Sequence, residues 1–334
     1  MTMQQGSAST NPVTAVAHPN IALIKYWGDA DQDLHIPANG SISITLAELH
    51  TQTSVKFDSQ LIADEFILNG KVQVGTALGR VIQLLDRVRH MAGIATFARV
   101  SSENNFPSSA GIASSASGFA ALSLAASQAA GLSLDERELT RLARTGSGSA
   151  CRSIPGGFVE WKAGSNDLDS YAISIAPPEH WDLVDCIAIV SKAEKSHSSL
   201  VGHALAATSP LQAARLADAP RRLEHCRHAI FNRDFGALAE VVELDSNLMH
   251  SVMCTSQPPL LYWLPATLAV VQAVQAWRKA GLPTSYTIDA GPNVHVICAE
   301  PHSDHISRKL RELPGVSEVI TARVGGPARM ISLK

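Results

Sequence analysis

Residues 104–131, NNFPSSAGIASSASGFAALSLAASQAAG, decide how this chain is read. Small polar residues run without a break into a long helical pattern that closes at Gly131. The apolar part, residues 110–132, is long enough to raise a membrane span, but Ser114, Ser115, Ser117, Ser123, Ser127 and Gln128 interrupt it. A helix buried in a globular core fits better. Its N-terminus offers unpaired amides and a partial positive charge next to small residues and hydroxyls, a combination suited to phosphate. No GK[ST] follows and the spacing is not GxGxxG, so neither the Walker loop nor the dinucleotide fingerprint applies. A tightly packed Ala/Ser helix fits the same residues, and the segment alone leaves both readings open.

Upstream, residues 13–16, 41–45 and 51–57 are β-rich or alternate, and 66–68 run into Asn69-Gly70 like a strand entering a hairpin. From Gly75 the apolar positions Leu78, Val81, Leu84, Leu85, Val88 and Met91 predict a helix, and residues 95–100 a strand. Downstream, Ser133 with Glu136 predicts a capping-box start for a helix to about Arg144. Strand-like stretches follow at 171–175 and 185–190. Composition turns polar over 191–199, where we place a domain boundary. Helices are expected at 210–231, with Pro220 breaking or kinking the first, at 235–253, and at 264–280 with Gly281 and Pro283 as stops. Residues 286–288 and 294–298 read as strands, 304–313 as a short helix, and two strands close an α+β pattern without internal repeats.

Composition sets the outer bounds. The 334 residues are 46% hydrophobic and 17% charged, which provides for two domains: 13–192 and 193–334 after a disordered start at 1–12. Thirty acids against 27 Lys plus Arg give a net charge of −3, without the basic face of a nucleic-acid binder. MTMQQGSAST has neither a basic nor an apolar signal region. Cys151, Cys186, Cys226, Cys254 and Cys298 are widely spaced, so we expect a reduced, cytoplasmic chain without disulfides. The thirteen histidines show no HExxH, and no metal cage of protein ligands is expected.

Three more segments can carry chemistry. In TGSGSACRS, 145–153, hydroxyl and backbone donors suit one anion, while Arg152 suits a carboxylate through two parallel bonds. A plain Gly/Ser loop with a surface arginine fits equally. In IDAGPNV, 288–294, Asp289 stands between a predicted strand and a turn, a good place for a site but also a common place for Asp. In HPNIALIKYWG, 18–28, Lys25 interrupts an apolar run. It either snorkels to solvent or pairs with Asp289 as a catalytic couple.

Taken in order and at these separations, HPNIALIKYWG, NFPSSAGIASSAS, RTGSGSACRSIPGGFVEW and DAGPNV resemble the mevalonate diphosphate decarboxylase family of the GHMP kinase superfamily. The likeness covers about residues 13–300. It implies a two-domain α+β GHMP kinase-like fold, with an N-terminal domain like ribosomal protein S5 domain 2 and a C-terminal GHMP α/β sandwich, as a homodimer. It also implies a reaction in which ATP with Mg²⁺ phosphorylates the C3 hydroxyl of a mevalonate 5-phosphate compound, after which phosphate and carbon dioxide leave. No nucleic-acid or membrane partner is expected.

The resemblance assigns roles position by position. Asp289 matches the catalytic aspartate, with Lys25 beside it, and Arg152 matches the arginine on the departing carboxylate. Ser102 and Ser114 match serines on the ATP phosphates, within a nucleotide loop that includes Asn105, Pro107, Ser108, Gly111 and Ser115. Tyr26, Ser147, Gly148 and Ser149 match the residues around the substrate's 5-phosphate end. Phosphoryl transfer is mostly positioning and charge neutralisation, which this set can supply.

Two positions depart from the family. KYWGK becomes KYWGD, putting Asp29 where a lysine meets the diphosphate, and an arginine in a form like SRYG becomes Leu200 in SSLVG. A carboxylate near phosphate costs about 1 kcal/mol at roughly 4 Å in water, and about 4 kcal/mol at an effective dielectric of about 20. Losing two charge-assisted bonds costs about 3–6 kcal/mol more. The expected substrate is therefore mevalonate 5-phosphate and the product isopentenyl phosphate. The alternative is a diphosphomevalonate decarboxylase in which Lys192, Lys195 or His203 rebuilds the clamp. A mevalonate kinase that stops at phosphorylation, or a non-catalytic nucleotide-binding module, would also preserve the fold.

Overall fold

The computed structural model describes residues 11–106, 114–193 and 199–332. Its strands are β1 (Val13–Ala17), β2 (Asn20–Ile24), β3 (Asp29–Asp31), β4 (Ile36–Pro37), β5 (Ser41–Thr45), β6 (Thr51–Phe57), β7 (Glu65–Leu68), β8 (Lys71–Val72), β9 (Ala98–Asn104), β10 (Phe158–Trp161), β11 (Ala172–Ala176), β12 (Leu183–Ile189), β13 (Thr284–Thr287), β14 (Val294–Ala299), β15 (Glu318–Arg323) and β16 (Arg329–Ile331). The helices are α1 (Gly75–Ala92), α2 (Ser114–Ala129), α3 (Glu136–Gly146), α4 (Ser199–Leu205), α5 (Gln212–Asn232), α6 (Phe235–Thr255), α7 (Pro265–Lys279) and α8 (Ser303–Arg311). This is the mixed α+β architecture expected.

The strands form a six-stranded sheet, β16-β1-β6-β9-β7-β8, two four-stranded sheets, β11-β10-β5-β2 and β13-β14-β12-β15, and the hairpin β3-β4. On the first sheet sits α2, whose Ala120, Ala121, Ala125 and Ala129 are fully buried with Val55, Val100 and Leu85. Burial of so serine-rich a helix is made possible by hydroxyls that bond back one turn, Ser123 to the Phe119 carbonyl and Ser127 to that of Ser123. No helix among the described residues is long and apolar enough to cross a membrane.

A second core ties the middle sheet to the C-terminal elements. Ile21, Leu23, Ile42, Ile44 and Phe158 meet Ile230, Leu238 and Val242 of α5 and α6 together with Ile187 and Ile297 of the third sheet. Strand β12 is buried on both faces: Leu183, Ile187 and Ile189 join that core, while Val184, Cys186 and Ala188 pack under α7 and α8 with Val270, Val274, Ile306 and Leu310. Helices thus cover both sides of the third sheet. The last strand, β16, returns to pair with β1, closing the chain on its first strand.

Local expectations differ at four places. The strand foreseen at 95–100 lies at β9, 98–104, where it pairs with β6. The cap of α3 is Asp135, not Ser133: its carboxylate accepts from the Glu138 amide, and the Glu138 carboxylate accepts from the Asp135 amide. Pro220 does not break α5, and the Arg222 guanidinium ties the helix across that turn by donating to the Arg215 carbonyl. The strand β10, in the middle of its sheet, has no alternation to reveal it because all four of its residues are buried.

Candidate active site

Where β2 ends, Lys25, Tyr26, Trp27 and Gly28 leave the sheet, and groups from α5 and α6 hold this turn. The Lys25 amide donates to Asp245 Oδ2 at 2.6 Å, and Arg222 Nε donates to Asp245 Oδ1 at 2.7 Å. Arg215 donates to the carbonyls of Lys25 (2.8 Å) and Trp27 (3.3 Å) and to Asn39 Oδ1 (3.2 Å), and Gln212 donates to the Trp27 carbonyl at 2.9 Å. Residues 212, 215 and 222 lie on one helical face, so a single face of α5 fixes the turn.

That support directs Lys25, 1% exposed, toward Asp289, with Nζ 2.5 Å from Oδ1. Asp289 follows β13, and Ser246 Oγ accepts from the preceding amide of Ile288 at 3.0 Å. His250 stands behind, with Nε2 3.2 Å from the Ile288 carbonyl, and burial pushes it down to about 4, so it is neutral. Lys25 and Asp289 form the couple foreseen as one of the two readings of that lysine, and snorkelling is excluded.

Arg152 lies in a tight helical turn, Gly148–Ser153. Its Nε donates to Asn20 Oδ1 at 3.2 Å and Nη1 to Ser41 Oγ at 2.5 Å, and no carboxylate among the described residues forms an ion pair with it. Burial pulls its pKa below the usual arginine range, and Asp289 is among the charges that oppose this. Asn20 also donates to the Ser149 carbonyl (3.2 Å) and to Ser153 Oγ (2.8 Å), so one residue of β2 positions both the guanidinium and its turn. The guanidinium is not on the surface, which removes the plain-loop reading of 145–153.

Next to this turn, Gly148 faces Tyr26 so closely that a Cβ would fall 2.6 Å from the ring. The Tyr26 hydroxyl donates to Asp29 Oδ1, and the ring stacks on His203 with centroids 4.1 Å apart. Asp29 is inward-facing, its side chain 3% exposed, with Oδ2 3.8 Å from His35 Nδ1. Burial, and then the Asp29 charge, push the Tyr26 phenol well above its ordinary range. His203 is pushed down to about 4 by burial, and its Nδ1 accepts from the Gly28 amide at 3.0 Å. Gly28, at φ +98°, is the residue that lets the chain turn there. Leu200, on the same helix as His203, is 50% exposed.

At the start of α2, a cavity of about 170 Å³ brings together Ser102, Ser114 and Ser115 with Phe119 and Arg80. Ser102 Oγ lies 2.8 Å from Thr53 Oγ1, and Ser147 Oγ donates to Ser115 Oγ at 3.3 Å, which joins the two serine segments. Asn105 is spent on backbone instead: it donates to the Glu48 carbonyl at 2.8 Å, accepts from the His50 amide at 2.7 Å, and does not line the cavity. Pro107, Ser108 and Gly111 fall outside the described residues, as does Lys195. Among the described residues no three His, Cys, Asp or Glu side chains gather to hold a metal.

Sequence reading missed Asn20, Ser41, Arg80, Arg215 and Asp245. The last three lie within helices, where a charge reads as a solvated face, and no local signal sets them apart.

Two family models divide the chain. One, described as the diphosphomevalonate decarboxylase-like N-terminal domain, matches residues 17–172, and one described as the mevalonate 5-diphosphate decarboxylase C-terminal domain matches 186–330. The diphosphomevalonate decarboxylase of Candida albicans is 37% identical over 95% of this chain and 94% of its own length. The phosphomevalonate decarboxylase of Haloferax volcanii is 35% identical over 95% and 97%. A structure solved in complex with MVAPP, AMPPCP and magnesium superposes with a TM-score of 0.91 at 38% identity, covering 96% of this chain and 99% of that one.

Proposed function

The chain belongs to the mevalonate diphosphate decarboxylase family of the GHMP superfamily and is an ATP-dependent decarboxylase, and from that premise we propose that its substrate is mevalonate 5-phosphate, which with ATP yields isopentenyl phosphate, carbon dioxide, ADP and phosphate. The observation that carries the choice of substrate is the inward-facing Asp29 carboxylate bonded to the Tyr26 hydroxyl where the family places a cation. Of the described residues that could replace that cation, neither Lys192 nor His203 does so. Lys192 Nζ is 2.8 Å from Glu318 at the surface, and His203 is neutral with Nδ1 occupied.

Each remaining group has a role that its geometry permits. The ionised Asp289, oriented by Lys25, accepts the hydrogen bond of the C3 hydroxyl and aims its oxygen at the γ-phosphoryl group. Arg152, whose partners here are neutral, gives its charge to the substrate carboxylate in two parallel bonds. As that carboxylate leaves as carbon dioxide, its bonding electrons form the double bond and expel the 3-phosphate. Ser147, Gly148, Ser149 and Tyr26 surround the 5-phosphate end, and Ser102, Ser114 and Ser115 the nucleotide. Mg²⁺ suits a hydroxyl-lined site, because it is held by a few protein oxygens together with nucleotide phosphates, whose charge it neutralises. The relative solved with AMPPCP and magnesium supports both ligands.

We assign the nucleotide loop to residues 13–192 and Asp289 to residues 193–334, in a cytoplasmic homodimer. The second reading, mevalonate 5-diphosphate as substrate, is favoured by the names of the similar proteins, among which diphosphomevalonate decarboxylases outnumber the phosphomevalonate enzyme. ADP and carbon dioxide formation with ATP, Mg²⁺ and either substrate at matched concentrations decides between them. Preference for the monophosphate is expected. Preference for the diphosphate assigns the second reading, and ADP without carbon dioxide would make the protein a kinase alone.

A further inference from the structure

Arg80 differs from most of the buried or half-buried arginines; Arg215 also lacks a carboxylate partner, but the Lys25 and Trp27 carbonyls and Asn39 Oδ1 together take up its guanidinium. Arg89 forms a two-bond pair with Asp64, Arg144 pairs with Asp167, and Arg222 with Asp245 and Asp218. Arg152 has no carboxylate among the described residues, and it is the guanidinium assigned to a substrate anion. Arg80 shares that property: its hydrogen bond goes to the Gly146 carbonyl, 2.8 Å from Nη2, and its guanidinium lies over the Phe119 ring, 4.7 Å from the centroid. Neither partner neutralises the charge. Burial alone acts on its pKa, lowering it, with no carboxylate to oppose the shift. A half-buried cation with only a carbonyl and a ring for company is costly unless an anion completes it.

The surroundings say which anion. Arg80 projects from α1 into the same cavity as Ser102, Ser114 and Ser115, where α2 begins with its amides and partial positive charge. Phe66, Leu68 and Leu122 give the same cavity an apolar lining. Apolar side chains together with a cation and hydroxyls match a nucleotide, which has an apolar-faced base and a charged phosphate chain. We propose that Arg80 is a nucleotide-binding residue that pairs with the phosphate chain of ATP in the cleft between α1 and α2. This rests on the reading of that cleft as the ATP site. The guanidinium also reaches the other ligand's turn, since Gly146, which it holds, directly precedes Ser147, and Ser147 bonds Ser115. Nucleotide phosphate and the serine turn near the second substrate are then tied through one side chain.

The test uses Arg80→Gln and Arg80→Lys in the full chain. Each is melted with and without ATP and Mg²⁺, and KM is measured for ATP and for the phosphorylated mevalonate. Loss of a charge-assisted contact is expected to raise KM for ATP about tenfold or more in the glutamine variant and less in the lysine variant, with KM for the other substrate within about twofold. The ATP-induced rise in melting temperature should shrink, while melting without ligand changes little. An unchanged KM for ATP in a folded Arg80→Gln, or equal loss of ligand-free stability in both variants with the ATP shift intact, would make Arg80 a structural brace and overturn the proposal. If the glutamine variant does not fold, the lysine variant decides by the same KM. If the parent protein itself gives no ATP shift, the reading of the cleft fails, a result distinct from failure of Arg80 alone.

Discussion

Lys25 is 1% exposed, and Asp289 sets a carboxylate oxygen 2.5 Å from its Nζ. The pair is asymmetric, because Asp289 keeps about 29% of its side chain accessible while Lys25 is enclosed. In the proposed mechanism the carboxylate is therefore the member that meets substrate, and the ammonium aims it. Replacing Asp289 by Asn removes the acceptor for the C3 hydroxyl and leaves shape nearly intact. We expect kcat to fall about 10²–10⁴-fold, the range for a positioned proton acceptor, with binding of a fluorescent nucleotide retained. Activity within tenfold of the parent would take Asp289 out of the chemistry. The variant also leaves Lys25 unpaired, so the assay belongs well below its own melting temperature.

Short elements set the geometry around Tyr26 and Gly148. Helix α3 is fixed at its start by the Asp135–Glu138 box and at its end by Ser147, whose amide caps on the Ala143 carbonyl, and the turn of residues 148–153 follows at once. Gly148 is needed there because Tyr26 fills the space a side chain would take. Gly148→Ala forces Tyr26 or the turn aside, at about 1–3 kcal/mol of overpacking. The expected readout is a KM for the phosphorylated mevalonate raised about tenfold, KM for ATP little changed, and a lower melting temperature. If only stability falls, Tyr26 and the turn do not shape that pocket. This scale also marks how far the sequence could be read. The four segments around Lys25, Ser114, Arg152 and Asp289 are short and contiguous, so their unusual residues stand out. Asn20 lay inside one of them unnoticed, because a strand asparagine gives no hint that it grips Arg152 and its turn. Asp245 and Arg215 were illegible for another reason: their partners are about 190 to 220 residues away, beyond the reach of any periodicity.

At the scale of the molecule, those distant pairs are what join the turn after β2 to the C-terminal helices, and much of the joint is polar and buried. Histidines are part of it. His203 packs on Tyr26 and Trp27, and His250 supports the strand end before Asp289. Both are pushed down by burial to about 4 from an ordinary value of 6.5, so the folded chain holds them neutral. The unfolded chain takes up protons on them near pH 6.5, and the folded chain does so only near pH 4. Between those limits the unfolded state binds more protons, so stability is full above pH 6.5 and is lost as pH falls toward 4. At about 1.4 kcal/mol per pKa unit, each histidine accounts for about 3 kcal/mol by the lower limit. His18 and His50 are lowered as well and act in the same direction. Carboxylates held low by arginines, such as Asp218 at about 2, lose their contribution only as pH falls below their ordinary value of 3.8, outside this window. Melting temperature followed from pH 7.5 to 4.5 should hold level at first and then drop steeply below pH 6.5. His203→Asn and His250→Gln should each flatten the drop even where they lower the plateau. A parent protein with a level melting temperature down to pH 4.5 would mean that these rings accept protons without cost, and that the joint between the two halves is open to water.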